Sequence, residues 1–159
     1  MERTAVISDC GSYRYQLTRR WGPGPAVVWI MLNPSHADAN IDDRTIIKCV
    51  GFTKREGYAA LAVVNLFAFR SRWPNEMKAA ADPVGPENDA HIAAVAKAGA
   101  MTICAWGNNG GHLARDKAVV AWLRQNEVAP FALTVTGQGQ PGHPLLLGYD
   151  NKPQLFALD

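Results

Sequence analysis

Four short segments hold most of the side chains able to do chemistry: Asn33-Pro34-Ser35-His36 with Asp38, Asp42 and Asp43 behind it, Asn65 with Phe67 and Arg70, Trp106-Gly107-Asn108, and Gly142-His143-Pro144. Imidazoles and carboxylates exchange protons near neutral pH, so His36, Asp38, Asp42 and Asp43 are candidates for a base, a proton relay or an oxygen-rich ion site. Asp42 and Asp43 read more readily as helix caps, which leaves His36 and Asp38 as the better functional candidates. His143, held between Gly142 and Pro144, is restricted in conformation and reads as a placed group.

Asn65 ends an otherwise apolar run, AALAVVNL. A buried amide must find partners or cost on the order of a few kcal/mol. It donates and accepts at once, which suits the edge of a nucleobase and equally suits tying two loops together. Phe67, Phe69 and Trp73 follow closely and could stack on a base or cover the core. Arg44 and Arg70 could hold phosphate or carboxylate through forked bonds, or form ordinary salt bridges. Gly107-Asn108-Asn109-Gly110-Gly111 precedes a helix and could cradle an anion. It lacks the Lys-Ser/Thr ending of a P-loop and the spacing of a dinucleotide fingerprint, so ATP and NAD chemistry are disfavoured and no cofactor is expected.

These groups need elements to position them. Ala26 to Leu32 is apolar without alternation, as in a strand covered on both faces, and Pro34 ends it. Asn33, Ser35, His36 and Asp38 then lie beyond the carboxyl edge of a sheet, where open parallel sheets bind ligands. Leu61–Leu66, Met101–Trp106 and Phe131–Val135 read as further core strands. Helices are expected from Asp42 or Asp43 to about Glu56 with Ile46, Ile47 and Val50 inward, from Asn88 or Asp89, after a long loop over Phe67–Glu87, with Ile92, Val95 and Ala96 inward, and over Leu113–Gln125 with Val119, Val120 and Leu123 inward. Ala5–Ile7 and Tyr13–Thr18 read as an antiparallel pair. The expected fold is a three-layer α/β/α sandwich with a four-stranded parallel central sheet and an N-terminal antiparallel extension at its edge. The strand endings converge on one rim.

The chain has 159 residues, 48% of them hydrophobic, which fits a single domain with a proper core. A formal charge of +2 does not by itself imply nucleic acid. Cys10, Cys49 and Cys104 are odd in number and widely spaced, which supports neither a disulfide framework nor a zinc knuckle; Cys49 and Cys104 read as core. The start lacks a signal-peptide pattern, and no apolar run nears the roughly 20 residues of a membrane span. A cytoplasmic location is the expectation.

The segments MLNPSHADANIDDRT, VVNLFAFRSRWP, PVGPEND, AWGNNG and GHPLLL resemble, in order, those of an uncharacterised bacterial family, domain of unknown function 1643. More remotely, the order of an Asn-Pro loop, a strand ending in Asn, a Trp-Gly turn and a His-Pro loop is similar to the uracil-DNA glycosylase superfamily. That resemblance implies that Asn33 positions water at a sugar carbon, that Asn65 reads a base, and that His143 polarises the base or contacts a phosphate. It also implies charge stabilisation from Arg70 and a carboxylate near the sugar, for which Asp38 is the candidate.

The expected function is recognition of a nucleobase or nucleotide, with N-glycosidic cleavage as the enzymatic form. An asparagine at position 33 cannot act as a general base, which favours a rival: a non-catalytic module binding nucleotide or nucleic acid. Two further alternatives are a metal-dependent phosphoesterase using His36, Asp38 and Asp42, and a Ser35 nucleophile with His36 or His143 and Asp38. The latter lacks the G-x-S-x-G elbow.

Overall fold

A computed structural model describes residues 1–158. Seven strands form one sheet: β1 (Glu2–Ile7), β2 (Arg14–Arg20), β3 (Val27–Met31), β4 (Ala60–Asn65), β5 (Met101–Cys104), β6 (Pro130–Ala132) and β7 (Gln154–Leu155). Their order is β1-β2-β4-β3-β5-β6-β7. The four strands expected in the core, β4, β3, β5 and β6, are mutually parallel. They form the middle of a larger mixed sheet, because β2 pairs antiparallel with β4 and β7 antiparallel with β6. β7 left no trace in the sequence pattern: it is two exposed residues without apolar alternation.

All five residues of β3 are buried, and successive side chains point to opposite faces. Val28 and Ile30 pack with Ile92 and Ala96 of α3 (Asn88–Ala98) and with Val119, Val120 and Leu123 of α4 (Arg115–Gln125). Val27, Trp29 and Met31 pack with Ile46, Cys49 and Phe52 of α1 (Arg44–Arg55). Helices therefore cover both faces, and the unbroken apolar run in the sequence follows from that. Each fully buried side chain of this size contributes about 1.5–3 kcal/mol. No helix among the described residues is long and apolar enough to cross a membrane.

Several local expectations are corrected. In α1 the inward stripe is Ile46, Cys49, Phe52 and Thr53, while Ile47 is exposed. Ile47 lies about 100° around the helix from Ile46, and Thr53 fits the interior because its hydroxyl accepts the Trp29 indole N–H at 3.0 Å. The long Phe67–Glu87 connection contains a short helix, α2 (Pro74–Ala79), started by Pro74 and anchored by buried Met77. β5 and β6 are shorter than their apolar runs because Ala105, Trp106 and Leu133 are buried in the loops that follow. α4 begins at Arg115, after a kinked 3-10 turn over Asn108–Ala114 in which Leu113 and Ala114 adopt left-handed backbone.

The loop from β3 to α1 is strapped down by charge. Arg19 is fully buried; its Nε meets Asp42 Oδ1 at 2.8 Å, and its other nitrogens donate to the carbonyls of Thr18, Asp38 and Ile41. Asp42 also meets Arg3 at 3.0 Å. Asp43, not Asp42, is the cap of α1, its Oδ1 accepting the Ile46 N–H at 2.9 Å.

Candidate functional site

A cavity of about 590 Å³ opens where β3, β4 and β5 end, and its wall includes Asn33, Ser35, Asn65, Trp106, Gly107, Asn108 and His143. Parallel strands end on the same edge, so residues far apart in the chain meet there. His36 and Arg70 lie in an adjoining groove with Trp73 and Glu76, which shares Ser35, Ser71 and Arg72 with the main cavity.

Asn65 forms the most informative part of the wall. It is 1% exposed, and neither its Nδ2 nor its Oδ1 has a hydrogen-bond partner among the described residues. Its backbone, in contrast, is firmly held: Asn88 Nδ2 donates to the carbonyls of Asn65 and Leu66 at 2.9 and 3.2 Å, and Arg115 Nε donates to the Leu66 carbonyl at 3.1 Å. A fixed amide with both polar ends free is costly, at about 1–3 kcal/mol per unmet group.

The neighbouring walls are fixed as well. Trp106 donates its indole N–H to Gln140 Oε1 at 2.8 Å, and Gln140 Nε2 donates to Asp116 Oδ2 at 2.9 Å. Gly110 must lack a side chain, since a Cβ there would lie 2.1 Å from the Trp106 ring. Asn33 ties loops: its Nδ2 donates to the Ser71 carbonyl at 2.9 Å and more weakly to those of Pro34 and Phe69, which leaves its oxygen out of these bonds. Asn108 accepts from the Thr136 hydroxyl at 2.6 Å, and Asn109 from Lys78 at 2.8 Å.

Several expected roles change on this geometry. Asp38 lies outside both cavities, and its Oδ1 accepts the N–H groups of Asn40 and Ile41 at 2.8 and 2.9 Å. Those two bonds hold its carboxyl below the usual range. Phe67 is fully buried in the core beside His112 and presents no ring to the cavity. The glycine-rich turn before α4 is not an open anion cradle, because the buried Asp116 carboxylate already occupies the first turn of that helix. His36, Asp38 and Asp42 do not converge as ion ligands would: His36 lines the side groove, Asp38 closes its own loop and Asp42 is paired with Arg19.

Two residues take a larger part than the sequence suggested. Asp43, favoured as a cap over a chemical role, does both: it caps α1 and lines the cavity, as its one carboxylate among the described residues. Arg14 lines it too, at 3% exposure. No local pattern marks Arg14; its place follows from antiparallel pairing, which sets its N–H on the Ala68 carbonyl just past the end of β4.

His143 sits at the mouth, with Nδ1 accepting the Leu145 N–H at 3.2 Å, so the neutral ring carries its proton on Nε2. Crowding by the walls lowers its pKa below 6.5, with Asp43 pulling weakly the other way. Any stability from the neutral ring is therefore present above the ordinary imidazole value and is lost as pH falls through the depressed one. An NMR titration of the His143 ring is expected to show a midpoint below 6.5, and a midpoint above it would contradict this environment.

Around one cavity the arrangement brings together a buried amide without a hydrogen-bond partner among the described residues, the Asp43 carboxylate, the His143 imidazole and Trp106. No curated protein and no solved structure matches the chain. A family model described as Protein of unknown function (DUF1643) matches residues 14–145. That span holds Arg14, the ends of β3 and β4, the Trp-Gly turn after β5 and the His-Pro loop, and the chain belongs to this family.

Proposed function

We propose that the cavity binds a ligand bearing a nucleobase and that Asn65 reads the edge of its ring. The observation that carries this reading is the pair of unmet groups on a buried, backbone-fixed amide. An amide-type base edge supplies an acceptor for Nδ2 and a donor for Oδ1 together, and the flat ring fits beside Trp106. The order of its motifs, which resembles that of the uracil-DNA glycosylase superfamily, is in keeping with this reading.

The enzymatic form of this reading is hydrolysis of the N-glycosidic bond. Water adds its oxygen to the anomeric carbon, the carbon–nitrogen bond breaks, and the electron pair departs with the base, which is then protonated. Asp43 takes the part first given to Asp38, stabilising the cation-like sugar or accepting the proton of water. The Nε2–H of His143 donates to the departing base or to a phosphate. The rival form is a sensor that uses the same contacts without cleavage.

Binding of nucleosides and nucleotides, measured beside base release from the same compounds and from oligonucleotides, separates these forms. Release that falls in Asp43→Asn and His143→Ala supports hydrolysis. Binding without release selects the sensor. Absence of binding to any base-bearing compound overturns the proposal. Asn is itself a good cap, so Asp43→Asn keeps α1 intact.

A further inference from the structure

Around the cavity the charge is one-sided. Among the described residues, Arg14, Arg44 and Arg72 line it against one carboxylate, that of Asp43. None of the three forms an ion pair among the described residues, whose salt bridges use Arg3, Arg19, Arg55 and Arg115.

Arg14 is the unusual one. Its Nη1 donates to the Ala37 carbonyl at 2.8 Å, while its buried Nε has no partner among the described residues. Burial lowers its pKa to about 10, so the guanidinium is still charged at neutral pH. A charge this deeply buried is costly unless an anion meets it.

A second feature converges on the same space. Arg44, Thr45 and Ile46, the first turn of the twelve-residue helix α1, line the cavity, and that turn contains no acidic residue. Asp43 caps only the Ile46 N–H, so the donors of Arg44 and Thr45 remain at the positive end of the helix.

We propose that Arg14, Arg44 and the start of α1 form a phosphoryl-binding subsite, so that the ligand is a nucleotide with a terminal phosphate rather than a free base or nucleoside. A phosphodiester continues into chain on both sides and stays at the mouth. A terminal phosphoryl group has three free oxygens and can reach a guanidinium that is almost wholly buried. The cavity volume leaves room for base, sugar and phosphate together.

The base part of this assignment rests on the Asn65 reading, whereas the anion part stands alone and is tested alone. Inorganic phosphate is the first probe. It is expected to raise the melting temperature of the protein in millimolar amounts, and the rise is expected to shrink at least several-fold in Arg44→Ala. Arg44 is exposed, so this variant folds. Arg14→Gln is the deeper variant, read only if its circular dichroism matches the parent.

Calorimetry with the common ribonucleosides and their monophosphates is the second probe. At least one monophosphate is expected to bind tenfold or more tightly than its nucleoside, and more tightly than an oligonucleotide of the same base. Phosphate binding without any nucleoside binding keeps the subsite and removes the base reading. Nucleosides binding as tightly as their monophosphates, with no response to inorganic phosphate, keeps the base reading and overturns the subsite. An equal phosphate response in parent and Arg44→Ala also overturns it, and tighter binding of the oligonucleotide overturns the terminal-phosphate assignment.

Discussion

Asn65→Leu is expected to leave the chain as stable as the parent, or more so, while cutting affinity for the base-bearing ligand by about 2–4 kcal/mol, roughly thirtyfold to a thousandfold. Leucine has nearly the same volume, and the amide it removes has no hydrogen-bond partner to lose among the described residues. Deleting a polar group of this kind relieves an unmet desolvation cost, whereas the ligand is left facing a surface that cannot answer its donor and acceptor. Thermal melting and calorimetry on one preparation give both numbers. A clear fall in stability would show that the amide has a structural role, and unchanged affinity would remove it from the site.

Asp42→Ala is expected to cost about 3 kcal/mol, at the low end for a buried pair because Asp42 still touches water. Arg19 is fully buried and retains its charge when its carboxylate partner is gone. The carbonyls of Thr18, Asp38 and Ile41 still accept from it, which limits the loss. Arg3→Ala removes the exposed partner of the same carboxylate and is expected to cost less than about 1 kcal/mol. Urea unfolding of both variants checks the contrast. Equal losses would mean that the strap depends on the surface pair rather than on Arg19.

Much of the fold was legible because its cues are local. The run Val27–Met31 had to be covered on both sides, Asp43 could cap a helix, and Val119, Val120 and Leu123 had the spacing of an inward face. What escaped depends on partners distant in sequence. β7 has no apolar signature and exists through pairing with β6. Phe67 resembles a loop aromatic available for stacking, yet it is buried in the core cluster that also holds Met77 of α2.

The site divides along the same line. Asn65 stood out because one amide ending an apolar run is a local contradiction, and the structure leaves that contradiction unresolved within the protein. Asp38 looked free because its Asx turn through Asn40 and Ile41 was not anticipated. Arg14 was one arginine among several near the start, and only the pairing of β2 with β4 carries it to the cavity. Conversely, Asp43 was correctly read as a cap, but that reading did not foresee that the capped end of α1 faces the same opening.

The central claim is that the Asn65 amide is unmet because its partner is the ligand. Side-chain amide NMR during titration with ribonucleoside monophosphates tests it directly, with Asn88 as internal reference because its Nδ2 is already bonded to the Asn65 and Leu66 carbonyls. A large shift and slowed exchange are expected for the Asn65 amide protons, with little change for those of Asn88. Saturating ligand that leaves the Asn65 signals where they began would contradict it.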